Sequence, residues 1–523
     1  MKRTAFSIAF TLVAFASFCV NSFAAERVVV VGDSITGHSM NLPYGFTHEI
    51  RAALKEAGSD VEFTPLGGSG QTIFSWRNII ANSYEKNQQL DIPGIRVKEE
   101  FDKGADVLLV HLGMNDALQP SIQTTEEGFA SWKAEYIALI SDLRKRVPNV
   151  KRIIISPPTM LTENPYAFKN ELMDRFGAIV AEVATETGCE FLDVRSEFKR
   201  FFMNARLAKS DLRFTLDFVH PNQYGHQIMS WSFMKGLGWD EIAAKYYETK
   251  VAPEIRDFDS PGLALFVVDG RPAIDPKRNV ATIRGTIRGG SASDVNISTQ
   301  EGVSVESITE LEKSGEFSFV VSGASSAFPT EVVVKFGDVS RSVLVNAPYY
   351  VATGFPFESY PRPEDFPRAK AVTEIDKAVL AGKNPLQEKF AAPNGEGDLI
   401  WKVYYPTADK TGAANPNAVD VADLSPANAF DAAYVARYVV SPKAQKATLK
   451  LNSEGFSTTA IETIYLNGKE IYFDCLSPRH VKAVDSVEVE LKEGLNILVS
   501  RVDHTYWQWA TSFAFEGADG LTF

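Results

Sequence analysis

Val28-Val29-Val30-Val31-Gly32-Asp33-Ser34-Ile35-Thr36 decides the fold. Four consecutive β-branched residues read as a strand buried on both faces, the mark of a parallel sheet. Gly32 and Asp33 end that strand in a turn. Ser34 lies where the chain leaves the sheet, and a helical pattern follows from about Pro43. In open α/β sheets, ligands bind beyond the carboxyl ends of the strands. A serine there is placed to be a nucleophile. Gly, Asp and Ser are also common turn formers, so this tripeptide alone does not separate a reactive site from an ordinary turn.

Outward from it, residues 26 to about 240 alternate strand and helix patterns. Val61-Glu62-Phe63 reads as a strand leading to Leu66-Gly67-Gly68-Ser69-Gly70-Gln71-Thr72. Val107-Leu108-Leu109-Val110 is a buried strand ending at Gly113-Met114-Asn115-Asp116. Trp132, Tyr136, Leu139 and Leu143 mark one helix face, and Phe168, Leu172, Ile179 and Val183 another. Ile153-Ile154-Ile155 and Phe191-Leu192-Asp193-Val194 read as further strands, and a last helix follows Pro221. Such alternation predicts a parallel sheet with helices on both faces.

Beyond residue 240 the pattern changes. Residues 241 to 260, with Pro253, read as a linker with few apolar residues to bury, so the contact across it is expected to be modest. Thr282 to Arg288, Phe317 to Val321, Val332 to Val334 and Val343 to Val345 are short strands between turns, as in an immunoglobulin-like β-sandwich over 260–348. A proline-rich connector is expected over 349–395. From 396 to 523 the chain is again all-β, and Asn467-Gly468 suits a type I′ hairpin turn. With its Gly494-Leu495-Asn496 turn, this part resembles the galactose-binding-like jelly rolls appended to bacterial glycan-degrading enzymes.

The 523-residue length predicts several domains. Lys2 and Arg3, then an apolar run from Ala5 to Val20 and Ser22-Phe23-Ala24, read as a signal peptide over 1–24, so an exported protein is expected, periplasmic or extracellular. No other apolar run is long enough to span a membrane. A net charge of -13 makes nucleic acid and anionic membranes poor partners. Cys189 and Cys475 remain after cleavage and read as buried free thiols in separate domains.

Hydroxyl attack on an ester needs a base, a group that orients the base, and donors for the developing oxyanion. Ser34 can attack, His220 can take its proton, and Asp217, three residues earlier, can hold the imidazole. The N–H groups of Ser34 and Gly70 and the Asn115 amide can receive the oxyanion. Gly67 to Thr72 lacks the Lys of a phosphate loop. His220 and His226 lack a third ligand, so no metal is expected. Neither is a cofactor. Phe74, Trp76 and His38 are candidates to line a substrate groove, although helical aromatics usually serve the core. Asp116 is expected to support the Asn115 loop by hydrogen bonding.

Gly32-Asp33-Ser34, Gly70-Gln71-Thr72, Gly113-Met114-Asn115-Asp116 and Asp217-Phe218-Val219-His220-Pro221 resemble, in order and spacing, the four blocks of the SGNH, or GDSL, hydrolases. Ile35 stands where that family commonly has Leu. The glycine block has no Asn ahead of it, which leaves Gly68 as an alternative to Gly70. The resemblance implies a flavodoxin-like three-layer domain over 25–245 and metal-free ester hydrolysis by Ser34, Asp217 and His220. The expectation is a serine esterase acting on O-acyl, chiefly O-acetyl, groups of a carbohydrate. A lipid or aryl-ester hydrolase on the same triad is the nearest alternative, and a glycan-binding protein with an inactive esterase domain the second.

Overall fold

The computed structural model describes residues 26–118, 126–255, 260–268, 278–306, 308–313, 315–324, 327–356, 373–393, 395, 397–406, 418–421, 424, 431–451, 461–474, 485–504 and 509–523. The expected signal peptide over 1–24 and Cys475 lie outside the described residues.

Five parallel strands centre the first unit: β1 (Arg27–Gly32), β2 (Glu62–Gly67), β3 (Val107–His111), β4 (Arg152–Ser156) and β5 (Glu190–Phe191). Their order is β2-β1-β3-β4-β5. The four valines of β1 are wholly buried, as a strand covered on both faces requires. Gly32 lies beside Gly67 on one side and His111 on the other, so three strands end level. The order reverses between β1 and β3, and the crevice outside such a switch point is the general ligand site of open α/β sheets.

The helices of this unit are α1 (Ser34–Asn41), α2 (Phe46–Glu56), α3 (Ile73–Asn82), α4 (Val97–Asp102), α5 (Met114–Leu118), α6 (Glu126–Arg146), α7 (Phe168–Thr187), α8 (Val194–Ala208), α9 (Gln223–Gly236), α10 (Asp240–Tyr246) and α11 (Ala252–Ile255). One group packs through α3, α6 and α7, the other through α2, α8, α9 and α10. Among the described residues no helix is long and apolar enough to cross a membrane.

Three local expectations change. The strand read at 191–194 stops at Phe191, because the Asp193 side chain accepts from Ser196 N at 2.9 Å and caps α8. The strand begins only at Glu190, so Cys189 precedes it and is half-buried. The linker read at 241–260 is helical through Ile255, with a π-helical turn at Tyr247–Val251 between α10 and α11.

The contact across that segment is also larger than expected. β6 (Gly262–Val268) is buried along its whole length. Leu263, Leu265 and Val267 enter the core of the β unit that follows, whereas Ala264 and Phe266 enter the core of the α/β unit. Phe266 lies 6.2 Å from the Phe202 ring of α8 and 5.8 Å from that of Tyr166. Period-2 alternation thus serves two cores at once.

β6 is the edge of an antiparallel sheet ordered β10-β11-β7-β6, in which β9 also pairs β11; a second sheet runs β13-β12-β8. Their strands are β7 (Arg278–Arg288), β8 (Val295–Ser298), β9 (Val303–Val305), β10 (Thr309–Glu310), β11 (Glu316–Ala324), β12 (Thr330–Phe336) and β13 (Val339–Val345). The connector read at 349–395 begins instead with β14 (Tyr349–Pro356), paired with β15 (Lys402–Tyr404) and β17 (Asp431–Ser441), and it also contains α12 (Glu374–Leu380). β14 stands second in a six-stranded sheet, β15-β14-β17-β22-β19-β20, which accompanies a four-stranded one, β16-β23-β18-β21. The remaining strands are β16 (Ala418–Asp420), β18 (Gln445–Leu451), β19 (Ile461–Leu466), β20 (Lys469–Asp474), β21 (Asp485–Leu491), β22 (Gly494–Asp503) and β23 (Ala510–Glu516). Asn467 and Gly468 both have positive φ, 52° and 86°, between β19 and β20, as the hairpin signal predicts. Tyr350, Tyr434, Tyr438 and Val499 of this last unit share one apolar core with Val332 and Phe319 of the preceding one.

Candidate active site

Ser34 is the first residue of α1, so its N–H has no intrahelical acceptor. Asp33 caps the helix through Oδ1, which accepts from Ile35 N at 2.9 Å. The close fit of β2 against this turn requires glycine: a Cβ on Gly67 would lie 2.5 Å from Gly37 N and 2.6 Å from Asp33 O. Gly70 has φ 71°, in the left-handed region that glycine enters without steric cost. Gly68 O accepts from Gln71 N at 3.3 Å in the same turn. Asn115 Nδ2 donates to Gln71 O at 3.0 Å and ties the end of β3 to the end of β2.

The loop between α8 and α9 completes the cluster. Thr215 bridges Pro221, and Leu216 N donates to His220 O at 2.8 Å, closing the loop on itself. Asp217 Oδ1 accepts from Val219 N at 3.1 Å and His220 N at 2.8 Å. Asp217 Oδ2 lies 2.7 Å from His220 Nδ1, and His220 Nε2 lies 2.9 Å from Ser34 Oγ. The three residues expected to act together therefore form one continuous hydrogen-bonded relay, 186 positions apart in sequence. Burial opposes ionisation of Asp217, but the His220 ring and the backbone N–H groups of His220 and Val219 outweigh it and hold the carboxyl at about 2.

His38 lies one turn along α1 from Ser34, and its ring sits 4.4 Å from that of His220. Desolvation, then repulsion from the His220 charge, pushes the His38 pKa down. Phe74 is half-buried against the core. Trp76 does not line a groove. It is wholly buried and donates from Nε1 to Gly32 O at 2.9 Å, so it holds the end of β1 from within. His111 and His226 are buried, and burial pushes them down to about 4 and about 3, respectively. Among the described residues, no three His, Cys, Asp or Glu side chains cluster as metal ligands would.

Asp116 is buried behind Asn115 and accepts from Ile73 N at 3.2 Å and Trp132 Nε1 at 2.9 Å. Burial pushes its carboxyl up to about 7. Asp116→Ala would leave both donors buried without an acceptor, at a cost of about 1–3 kcal/mol each. Urea denaturation should show the α/β unit unfolding at a lower midpoint, and an unchanged midpoint would contradict this support role.

What the sequence pattern did not single out lies at 162–164. Thr162 N donates to Phe218 O at 2.7 Å, and the Glu163 carboxylate accepts from Phe214 N and Thr215 N. No local signal marks these residues, because Thr162 and Glu163 act through contacts about fifty positions away and Asn164 through one 103 positions away.

Comparisons with known proteins address the same part of the chain. The GDSL-like Lipase/Acylhydrolase family model matches residues 30–228. A curated acetylxylan esterase of Geobacillus stearothermophilus is 24% identical over 236 residues, covering 42% of this chain and 98% of that protein. Among solved structures, the acetyl xylan esterase AlAXEase is 19% identical, covering 40% of this chain and 99% of its own, with a TM-score of 0.32. The acetylxylan esterase Axe2 of Geobacillus stearothermophilus is 21% identical, covering 41% and 94%, with a TM-score of 0.31. With four blocks in family order and a family match across them, residues 30–228 are a GDSL-like lipase/acylhydrolase domain, a carboxylic ester hydrolase of the SGNH type.

Proposed function

We propose that this protein is an exported serine esterase that removes acetyl groups from an O-acetylated carbohydrate through an acyl-enzyme on Ser34. The observation that carries the mechanism is the relay from Asp217 through His220 to Ser34 Oγ, with both links under 3 Å. Ser34 Oγ attacks the ester carbonyl while His220 Nε2 takes its proton. The tetrahedral oxyanion is received by the N–H groups of Ser34 and Gly70 and by the Asn115 amide. His220 returns the proton to the leaving alcohol, then activates the water that frees acetate and restores Ser34.

Asp217 orients the imidazole and favours its protonated form in the transition state. Because its pKa is depressed to about 2, the stabilisation it supplies is present above the ordinary carboxylate range and is lost as pH falls through about 2. The acid limb of kcat/KM is therefore expected to carry no step from Asp217 above pH ~4. An Asp217 step in that range would contradict this division of roles.

The carbohydrate part rests on the acetylxylan esterase relative and on the two-sheet β units that follow the hydrolase domain. Export rests on the basic and apolar N-terminal pattern. Acetate released from acetylated xylo-oligosaccharides should be compared with fatty acid released from long-chain acyl esters. Faster acetate release supports the reading. Preferential release of fatty acid would replace it with a lipid esterase on the same residues, and no release from any ester would leave a glycan-binding protein.

A further inference from the structure

The loop that carries Asp217 and His220 is gripped by two consecutive residues that belong to neither α8 nor α9, and the next residue, Asn164, ties them to β6. Thr162 N donates to Phe218 O at 2.7 Å. Glu163 has no exposed surface, and its carboxylate accepts from Phe214 N at 3.1 Å, from Thr215 N at 2.8 Å and from the Thr215 hydroxyl. Asn164, also buried, donates from Nδ2 to Val267 O of β6 at 2.8 Å. Asn170 Nδ2 donates to Asn164 O at 2.8 Å and fixes the segment from the side of α7.

Two details say that the grip matters to geometry as well as to folding. Phe218, between Asp217 and His220, has φ 71°, and Thr162 has φ 60°. Positive φ is strained for bulky or β-branched residues and persists only where the surroundings over-determine it. A carboxylate without solvent access is costly unless its oxygens are hydrogen-bonded. Here three donors, all from the two residues that lead into Asp217, occupy it. Glu163 makes its hydrogen bonds to that loop and to neither Ser34 nor His220, so it acts through the loop.

We propose that Glu163 is a positioning residue for ester hydrolysis: it clamps the 213–222 loop so that Asp217 and His220 meet Ser34, and Asn164 anchors the clamp to the β unit. The second unit then has a role in catalysis, as the fixed point behind the clamp. This inference rests on the Ser34, His220 and Asp217 reading given above.

The test uses the full chain carrying Glu163→Ala, Glu163→Gln, Asn164→Ala or Ser34→Ala. Each is assayed on an aryl acetate, with the active fraction counted by a fluorophosphonate that labels the reactive serine, and with a thermal midpoint. Misplacement of a catalytic group by about 1 Å costs on the order of a hundredfold, so Glu163→Ala should lower kcat by about that factor per labelled site, with KM changed by less than about threefold. Glu163→Gln keeps an acceptor oxygen for Phe214 and Thr215 and should recover at least about a tenth of wild-type kcat. Asn164→Ala should lose about tenfold although its carbonyl partner lies in another unit.

A purely structural role would lower the number of labelled sites and leave kcat per site unchanged, and that result overturns the proposal. If Glu163→Ala does not fold, Glu163→Gln and Asn164→Ala decide. Wild-type kcat per site in Asn164→Ala overturns the anchoring. An active Ser34→Ala would refute the underlying catalytic reading instead. An inactive Ser34→Ala with unchanged kcat in the Glu163 and Asn164 variants refutes the clamp alone.

Discussion

Ser34→Ala is expected to lower kcat on an aryl acetate by at least about a thousandfold, since removing one member of such a relay removes most of what all its members supply together. The fold should survive. The Ser34 hydroxyl makes its hydrogen bond to His220, and alanine is the better residue for the first turn of α1. His220→Ala should fall to a similar rate, and the double variant should fall little further, because the two act as one unit. Circular dichroism and a thermal midpoint would establish that the variants are folded. More than about a tenth of wild-type kcat in folded Ser34→Ala would exclude Ser34 as the nucleophile.

The second large effect concerns where the enzyme can be cut. Sequence composition predicts that a chain ending near residue 255 keeps its activity on small esters. The structure reverses that expectation. Such a truncation removes Ala264 and Phe266 from the α/β core and takes the Val267 carbonyl from Asn164. Losing a buried phenylalanine alone costs about 3–5 kcal/mol, against a total domain stability of about 5–15 kcal/mol. The truncated chain should lose activity on aryl acetates and on acetylated polymers together, and its thermal midpoint should drop by many degrees. A folded truncation with wild-type kcat on the small ester would show that β6 is dispensable.

What could be read in advance follows physical range. β1 was legible because burial on both faces leaves an unbroken valine run, and the switch point follows from where that run ends. Ser34, Asn115, Asp217 and His220 were legible because each lies in a short block at a strand end or helix start. α8 carries Val194, Phe198, Phe201, Phe202 and Ala205 at helical spacing, yet Asp193 was read inside a strand when it is the helix cap. Trp76 has the composition of a sugar platform, and only its hydrogen bond to Gly32 O reveals its place in the core. β6 was hidden in a different way. Gly262-Leu263-Ala264-Leu265-Phe266-Val267-Val268 is a plain apolar run, and nothing local says that its two faces belong to different cores. The Glu163 clamp is invisible for the same reason, since a lone Glu between Thr162 and Asn164 has no pattern until the loop at 213–222 meets it.

The apolar core that joins Val332 and Phe319 to Tyr350, Tyr434 and Val499 has a consequence for reach. A ligand-binding module on a slack tether samples a volume, and its benefit is a local concentration set by tether length. Here the units join through packed side chains, β6 between the first pair and a common core between the second, so little slack remains. Any ligand held on the last unit would stand at a set span from Ser34. Were a ligand held there, the arrangement would act as a ruler: a polymer whose ester groups recur at the matching interval would be served repeatedly, and one with another spacing would gain nothing from being held.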